Sequence, residues 1–398
     1  MNTLKKILAG ILIICFCAAV FNPAAVSAEE ELELSAKAAV LIEAQTGKIL
    51  YEKNATEPLP PASLTKIMTL LVAMEALKSG RVNWDTPITA SQKAWEVSDY
   101  GNTSTMFLNI GQQATFREMI KGIAIVSAND ACVAVAEHLY GSEAAFVQQM
   151  NRRAAELGLE NTHFVNSHGL DDPDQYMSAL DIARLAAYFI QTQPEAAAFQ
   201  AEREFTFNGI RQFNRNPLLG SYPGADGVKT GSTPRAGYCL TATSKQQGMR
   251  LISVVLNTPG LRERGEDSEV LLNYGFRNFK LVTFYDAGET VAHATVSRGR
   301  QREVPLMARR PVAAVAPRED EDYNIEQVLL LDEALEAPVE EGQSAGTIQL
   351  IDPEGKVIDE VELLAAASVE RLGFFSSILR SIGDFFSSLW DRVWGNEK

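Results

Sequence analysis

The chain has 398 residues, of which 46% are hydrophobic and 22% charged, and its formal net charge is −15. This length exceeds that of an ordinary single domain, and the composition is typical of folded domains with a substantial core. A disordered or fibrous chain is therefore excluded. Nucleic acid is excluded as a partner, because a nucleic-acid-binding surface is basic and no long Lys/Arg run is present.

The first 28 residues have the pattern of a secretory signal peptide. Lys5 and Lys6 precede an apolar run over 7–21, and small residues at 26–28 come before an acidic stretch. A basic segment, an apolar segment and a small-residue cleavage site in this order direct export. We expect cleavage after Ala28. The alternative is that the segment is retained as a membrane anchor.

The cysteines and histidines limit the possible disulfide and metal chemistry. Cys15 and Cys17 lie in the signal segment, so Cys132 and Cys239 remain after cleavage. Each lies in an apolar stretch, which predicts a buried free thiol, although pairing of the two is also open. The four histidines show no metal-ligand spacing. The sequence implies no metal and no other cofactor.

The region up to residue 276 predicts an α+β domain with a largely antiparallel sheet. Alternating residues over 38–52, around a Gln-Thr-Gly turn, predict a β-hairpin, and two prolines then lead into an apolar helix over 64–77. The other elements follow in chain order: two helices within 115–140 with a break at 127–129, helices over 146–157 and 179–190, and strands over 237–244 and 249–256. Helices between an N-terminal hairpin and later strands favour this fold class.

The composition changes after residue 276. Over 277–367, short apolar runs alternate with Gly, Pro and acidic clusters, which predicts a small all-β domain. Over 368–398, apolar residues that include Trp390 and Trp394 recur at three- and four-residue spacing. This predicts a C-terminal amphipathic helix, and its aromatic residues favour the membrane surface over packing on the protein's own domain. Interrupting charges exclude a membrane-spanning helix.

Three short motifs could carry chemistry: Ser63-Leu64-Thr65-Lys66, Ser127-Ala128-Asn129 and Lys229-Thr230-Gly231. Residues i and i+3 share one face of a helix, so Lys66 can reach the Ser63 hydroxyl. A serine hydroxyl is a weak nucleophile, and a lysine can activate it if burial or a second cation lowers the lysine pKa. Lys229 is the candidate for that second cation.

The other motif residues fit the same chemistry. Ser127 can relay a proton to a leaving group, and Asn129 can bind a substrate amide. Gly231 leaves room for a substrate backbone beside the strand. The sequence contains no Gly-x-Ser-x-Gly elbow and no recognisable histidine triad motif. The pattern therefore indicates acyl transfer to a serine that a lysine activates.

The three motifs in this order resemble the low-molecular-mass penicillin-binding proteins, specifically the serine-type D-alanyl-D-alanine carboxypeptidases of peptidase family S11. The resemblance is close over about residues 36–276, and its segments are 39–47, 61–69, 127–132, 213–216, 227–231 and 236–238. It implies a penicillin-binding/β-lactamase-like transpeptidase domain at 29–276. The β domain and the amphipathic helix resemble the family in domain order more than in amino-acid sequence.

The resemblance implies catalytic roles for the motif residues. Ser63 attacks the carbonyl of the terminal D-Ala-D-Ala bond and forms an acyl-enzyme, and Lys66 is the general base. Ser127 and Lys229 pass a proton to the departing D-alanine. The backbone N–H groups of Ser63 and Ser232 form the oxyanion hole. Some relatives have His where this chain has Ser232, so only a backbone role is expected there.

Substrate contacts are implied in the same way. The expected substrate-binding residues are Asn129, Lys229, Thr230, Gly231, Ser232 and Arg264. Thr230 touches the terminal carboxylate, and an arginine fork at position 264 matches a carboxylate. Arg262 is close enough in sequence to be the alternative, and Arg215 is expected to order the cleft wall. His168, in a loop bordering the cleft, is expected to be solvated or turn-forming.

The expected function is removal of the terminal D-alanine from peptidoglycan pentapeptides by a serine-type D-Ala-D-Ala carboxypeptidase, which β-lactams also acylate. The enzyme is expected at the outer face of the cytoplasmic membrane, held peripherally by its C-terminal helix. A serine β-lactamase is one alternative, but the loop over 163–178 contains no Glu to activate a deacylating water. A non-catalytic penicillin-binding scaffold is the other, although every catalytic residue type is present.

Overall fold

The computed structural model describes residues 32–99, 103–332 and 334–373. The predicted signal segment and residues 374–398 of the predicted amphipathic helix lie outside these ranges, so both predictions stay untested. The described fold belongs to one compact unit that begins at Ser35. Within the described ranges, every helix is too short or too polar to cross a bilayer.

The first domain alternates strands and helices. Its elements up to the middle of the domain are β1 (Ala38–Glu43), β2 (Ile49–Lys53), α1 (Lys66–Lys78), β3 (Pro87–Thr89), α2 (Gln92–Asp99), β4 (Gln113–Thr115), α3 (Phe116–Ile125), α4 (Asn129–Tyr140) and α5 (Glu143–Glu156). The remainder are β5 (Thr162–His163), β6 (Tyr176–Met177), α6 (Ala179–Thr192), α7 (Pro194–Phe199), β7 (Glu204–Phe207), β8 (Ile210–Phe213), β9 (Ala225–Thr233), β10 (Gly237–Gln246), β11 (Met249–Thr258) and α8 (Leu261–Asn278).

A five-stranded antiparallel sheet in the order β2-β1-β11-β10-β9 forms the centre of this domain. The predicted N-terminal hairpin and the two predicted later strands therefore lie side by side, which confirms the α+β class. Helices α6 and α8 pack on this sheet. The break predicted between two helices at 127–129 separates α3 from α4.

Helix α1 is buried on nearly every side, because its sequence is apolar around its whole circumference. A 3₁₀ turn over Ala62–Thr65 precedes it, and Ala62 has a left-handed backbone with φ of 48°. The nucleophile candidate Ser63 lies in this turn, and Lys66 is the first residue of α1. A rigid, buried helix thus positions the first motif.

The second domain has its own hydrophobic core and consists of strands. These are β12 (Phe279–Tyr285), β13 (Thr290–Ser297), β14 (Glu303–Ala308), β15 (Val312–Pro317), β16 (Glu326–Leu331), β17 (Leu335–Glu336), β18 (Ser344–Ile351) and β19 (Val357–Ala365). Strands β12 and β15 pair, and the others form a sheet in the order β16-β18-β19-β14-β13-β17. Isolated bridges join Val369 to Val339 and Arg371 to Gly299, so residues of the predicted tail contact this domain.

Candidate active site

The first motif brings a serine hydroxyl and a lysine amine into direct contact. Lys66 Nζ donates a hydrogen bond to Ser63 Oγ over 2.8 Å and a second one to the backbone carbonyl of His168. The Lys66 side chain is fully buried, and burial lowers its pKa from 10.5 to about 8. Within this shift, Cys132 and Asp130 act to raise the pKa, and the positive charge of Arg215 acts with burial to lower it. Burial, rather than a second lysine, is therefore the main cause of the shift.

Lys229 supplies a second buried amine. It lies in the middle of β9, where its Nζ donates to the Thr230 carbonyl over 3.0 Å. Burial lowers the Lys229 pKa well below its ordinary value, and the positive charge of Lys66 contributes next. Neither lysine forms an ion pair with any carboxylate in the part of the chain that the structure describes. The two amines thus meet the requirement for proton transfer near neutral pH.

The second motif places polar atoms in the cleft without partners. Ser127 precedes α4 with a left-handed φ of 64°, which is uncommon for a residue other than glycine. The buried Oγ of Ser127 and the buried Oδ1 of Asn129 have no hydrogen-bond partner among the described residues. Asp130 anchors this strained corner, because its carboxylate accepts from the backbone N–H groups of Met106 and Leu108. Strain and unpartnered polar atoms together are typical of a functional site.

Gly231 allows β9 to approach the nucleophile's turn. A Cβ at this position would lie 3.0 Å from the backbone nitrogen of Ser63 and 3.0 Å from Ala62 Cβ. Ala62 and Ser63 lie on the side of the strand where a Cβ would project, and Gly231 also lines the cleft, so room for a substrate backbone beside it stays a prediction. The close approach brings the backbone of Ser63 next to the strand that carries Ser232.

The structure separates the two candidate arginines. Arg264 is only 4% exposed and lines the cleft, where its guanidinium donates to the carbonyls of Gly231 and Arg215 over 3.3 Å. The side chain of Arg262 is 78% exposed and lies near Glu263 and Glu266. Of these two arginines, only Arg264 lines the cleft.

These residues surround a cleft of about 610 Å³. Its lining includes all the predicted site residues except the two lysines, which lie buried beneath it. Arg215 also lines it and donates to Ser104 Oγ over 2.7 Å, consistent with a role in ordering the wall.

Cys132 and Cys239 are both buried and free, as predicted, and burial raises the pKa of each thiol, to about 12 and about 11.

The loop between β5 and β6 contributes more to the site than the sequence predicted. His168 is buried rather than solvated, and its backbone carbonyl contacts Lys66. Gly169 has φ of 88°, and a Cβ there would lie 1.9 Å from the Ala62 carbonyl oxygen. Asp171 accepts from Thr233 Oγ1, which closes the loop onto β9. A backbone carbonyl has no residue signature, so only Gly169 could have signalled this contact.

Comparison with known proteins identifies the same two domains. Residues 24–260 match the D-alanyl-D-alanine carboxypeptidase family, and residues 279–371 match the family described as the C-terminal domain of penicillin-binding protein 5. The chain is 36% identical to D-alanyl-D-alanine carboxypeptidase DacF of Bacillus subtilis over 386 residues, which cover 96% of this chain and 98% of DacF. It is 41% identical to D-alanyl-D-alanine carboxypeptidase DacC of Escherichia coli, with 90% and 91% covered.

A solved structure agrees with these sequence matches. Penicillin-binding protein 5 from Haemophilus influenzae is 36% identical and superposes with a TM-score of 0.75. The superposition covers 85% of this chain and 99% of that protein. The similarity therefore extends over both domains.

Proposed function

This chain belongs to the D-alanyl-D-alanine carboxypeptidase family and is a serine-type D-alanyl-D-alanine carboxypeptidase, and from that premise we propose how its own residues perform the reaction. Ser63 is the nucleophile and Lys66 is the general base. The observation that carries this assignment is the 2.8 Å contact between Lys66 Nζ and Ser63 Oγ at a cleft. A peptide ending in D-Ala-D-Ala is the substrate.

Acylation begins with loss of the serine proton. A pKa of about 8 leaves about a tenth of Lys66 neutral at pH 7, and the neutral amine can accept the proton from Ser63 Oγ. The oxygen then attacks the carbonyl carbon of the terminal peptide bond. The negative charge that develops on the carbonyl oxygen is stabilised by the backbone N–H groups of Ser63 and Ser232.

The leaving group needs a proton before the carbon–nitrogen bond breaks. Ser127 Oγ lines the cleft without a hydrogen-bond partner among the described residues, so it can pass a proton from Lys66 to the amine of D-alanine. Lys229 supports this transfer with its buried amine. Water then hydrolyses the ester on Ser63, which releases a peptide shortened by one residue.

We assign recognition of the substrate terminus to Arg264 and Thr230 in the cleft lining. Arg264 presents a buried guanidinium whose Nε has no hydrogen-bond partner among the described residues, and Thr230 lies beside it in the lining. A guanidinium and a hydroxyl can together bind the carboxylate of the last D-alanine. Asn129 is available for an amide further along the peptide, because its Oδ1 is also unpartnered.

β-Lactams are the second class of ligand that we assign to this cleft. The Haemophilus influenzae neighbour is a penicillin-binding protein, and 99% of its length is matched here. Penicillin would acylate Ser63 by the same attack on a carbonyl carbon. The peptide and the antibiotic then compete for one serine.

The cellular location follows from sequence patterns alone. The signal pattern over residues 1–28 supports export, and the amphipathic pattern over 368–398 supports peripheral attachment to the outer face of the cytoplasmic membrane. Removal of residues 374–398 should move the enzyme from the membrane fraction to the soluble fraction. Retention of the truncated enzyme in the membrane fraction would contradict this attachment.

The decisive experiment compares two serine variants of the purified enzyme. Ser63→Ala should abolish both D-alanine release from a D-Ala-D-Ala peptide and the covalent adduct with a fluorescent penicillin. Ser79→Ala, at the other end of α1, removes only a bond to the Ala76 carbonyl and should leave both intact. D-alanine release by Ser63→Ala would refute the mechanism.

The wild-type reaction with penicillin separates the remaining alternatives. A stable adduct together with D-alanine release is the expected result. Rapid turnover of the penicillin would indicate a β-lactamase. A stable adduct without D-alanine release would indicate a non-catalytic penicillin binder.

A further inference from the structure

Glu143 is a buried carboxylate that the mechanism above does not use. It is the first residue of α5 and only 7% exposed. Its Oε1 accepts two hydrogen bonds from Ser167, one from the backbone N–H over 3.0 Å and one from Oγ over 2.8 Å. Its Oε2 lies 2.9 Å from Lys93 Nζ of α2, which balances the charge of the carboxylate. Glu143 therefore holds the loop between β5 and β6 from one side.

The other side of the same loop segment contacts α1. The Ser167 carbonyl accepts from Thr69 Oγ1 over 2.6 Å, and the His168 carbonyl accepts from Lys66 Nζ. Two consecutive peptide units thus lie between the Glu143 carboxylate and the helix that carries the general base. A displacement of Ser167 would move the carbonyl that contacts Lys66.

The His168 ring completes the contact with Glu143. Its Nδ1 accepts from the backbone N–H of Leu170 over 3.2 Å, so the proton of the neutral ring is on Nε2. That nitrogen lies 3.5 Å from Glu143 Oε1. Burial lowers the His168 pKa to about 4, so the ring stays neutral and adds no positive charge beside Lys66 near neutral pH.

We propose that Glu143 is a positioning residue for the general base: it fixes Ser167 and His168 so that the His168 carbonyl holds the Lys66 amine against Ser63. This inference rests on the proposed role of Lys66. It assigns to Glu143 an effect on acylation although Glu143 touches neither the substrate nor the nucleophile.

Loss of Glu143 should change the pH dependence of acylation. A carbonyl oxygen stabilises the ammonium form of a lysine, so its retreat should lower the Lys66 pKa further and move the acid limb of the acylation rate to lower pH. The charged and titratable groups facing Lys66 are Asp130 and Cys132 from α4, Arg215 from the segment before β9, Lys229 from β9 and His168 from the loop. Glu143→Ala removes none of them.

The experiment measures the acylation rate with a fluorescent penicillin between pH 5 and 10 for the full-length enzyme and its variants. Glu143→Ala should reduce the rate about 10- to 100-fold at pH 7 and shift the acid limb to lower pH. Glu143→Gln retains an oxygen acceptor for Ser167 and should recover most of the rate. Glu118→Ala is the matched control, because Glu118 also accepts two bonds at a helix start, from Thr115. Its acid limb should coincide with that of the wild type.

A milder pair of variants covers a failure of Glu143→Ala to fold. Ser167→Ala removes one of the two bonds to Glu143 and should shift the acid limb in the same direction by a smaller amount. Ser244→Ala removes a buried bond to the Pro223 carbonyl, remote from Lys66 in the chain, and should not shift it.

The experiments distinguish a failure of the role of Glu143 from a failure of the proposed function. Acid limbs of Glu143→Ala and Ser167→Ala that coincide with the wild type would overturn the role of Glu143, even if the rates fell. The proposed function would still stand if Ser63→Ala were inactive. Activity of Ser63→Ala would instead overturn the proposed function on which this inference rests.

Discussion

Two lysines at the catalytic cleft and two arginines of the β domain have opposite electrostatic environments. In the catalytic domain, Lys66 and Lys229 are buried and have no carboxylate partner in the described ranges of the chain. In the β domain, Arg310 is half-exposed and forms two hydrogen bonds with Asp359, and Arg309 pairs with Glu362 at the surface. Only the first arrangement shifts a pKa toward neutrality, which general base catalysis requires.

The difference shows where this fold gives up stability for chemistry. An amine buried without a counter-charge destabilises the folded state, because ionisation is unfavourable away from water. Left-handed backbone at Ala62 and Ser127 adds strain in the same region. The extensive apolar burial of helix α1 offsets these costs. A surface ion pair, in contrast, contributes little in either direction.

The largest effect is expected from Lys66→Arg. A guanidinium keeps the positive charge but cannot lose its proton near neutral pH, so the base is lost. Acylation by a fluorescent penicillin should slow by about 10³-fold or more. Arg310→Lys, the control, replaces one cationic side chain by another in the β domain and should leave the acylation rate unchanged. An acylation rate of Lys66→Arg within tenfold of the wild type would show that buried Lys66 is not the base.

The next effect concerns stability. Lys66 has a pKa of about 8 when folded and an ordinary value near 10.5 when unfolded, so the unfolded chain binds more protons between these values. Wild-type stability should therefore rise with pH through this window. Lys66→Met lacks the penalty and should be more stable by up to about 3 kcal/mol below pH 8.

Urea unfolding of both proteins at pH 7 and pH 10 tests this. The stability difference should shrink at the higher pH, because the wild-type amine is then neutral when folded. A difference that is equal at both pH values would mean that packing around Lys66, rather than its charge, limits stability.

The sequence was sufficient to predict the geometry of the site where that geometry depends on side-chain types at fixed spacing. The contact between Ser63 and Lys66 follows from their positions at i and i+3, and the hairpin, the paired later strands and the helix break followed from periodicity. The burial of Lys229 in the middle of β9 could not be predicted from periodicity, because it depends on pairing between separate strands of the sheet.

Other parts of the site could not be predicted, for physical reasons. The His168 carbonyl acts through its backbone, and any residue provides that group. The choice between Arg262 and Arg264 depends on which face of helix α8 carries each residue, and the sequence pattern did not predict this helix. Residues i and i+2 of an α-helix point about 200° apart, so only one of Arg262 and Arg264 can face the cleft. Glu143 lies at an ordinary helix start, and its partners come from distant segments.

Helix α8 also carries one buried arginine at the cleft, Arg264, and one exposed arginine near carboxylates, Arg262. Arg264→Met should lower kcat/KM for a D-Ala-D-Ala peptide by about 10- to 100-fold, the loss expected for a hydrogen bond to a charged group. Arg262→Met, on the exposed face near two glutamates, should leave it unchanged. Steady-state D-alanine release measures both. Equal losses in the two variants would remove the assignment of the substrate carboxylate to the buried arginine.

The smallest effect is expected from Arg310→Met. Its guanidinium pairs with Asp359 through Nη1 and Nη2, at 2.9 Å and 2.5 Å, but its side chain is 43% exposed. Water screens such a pair, so its loss should cost about 1 kcal/mol or less and still less in 1 M salt. Denaturant unfolding at two salt concentrations measures the cost, and kcat/KM should not change. Arg310 also lines a groove with Glu43 and Arg250 of the catalytic domain. A loss of activity would therefore mean that the β domain supports the catalytic sheet through this groove.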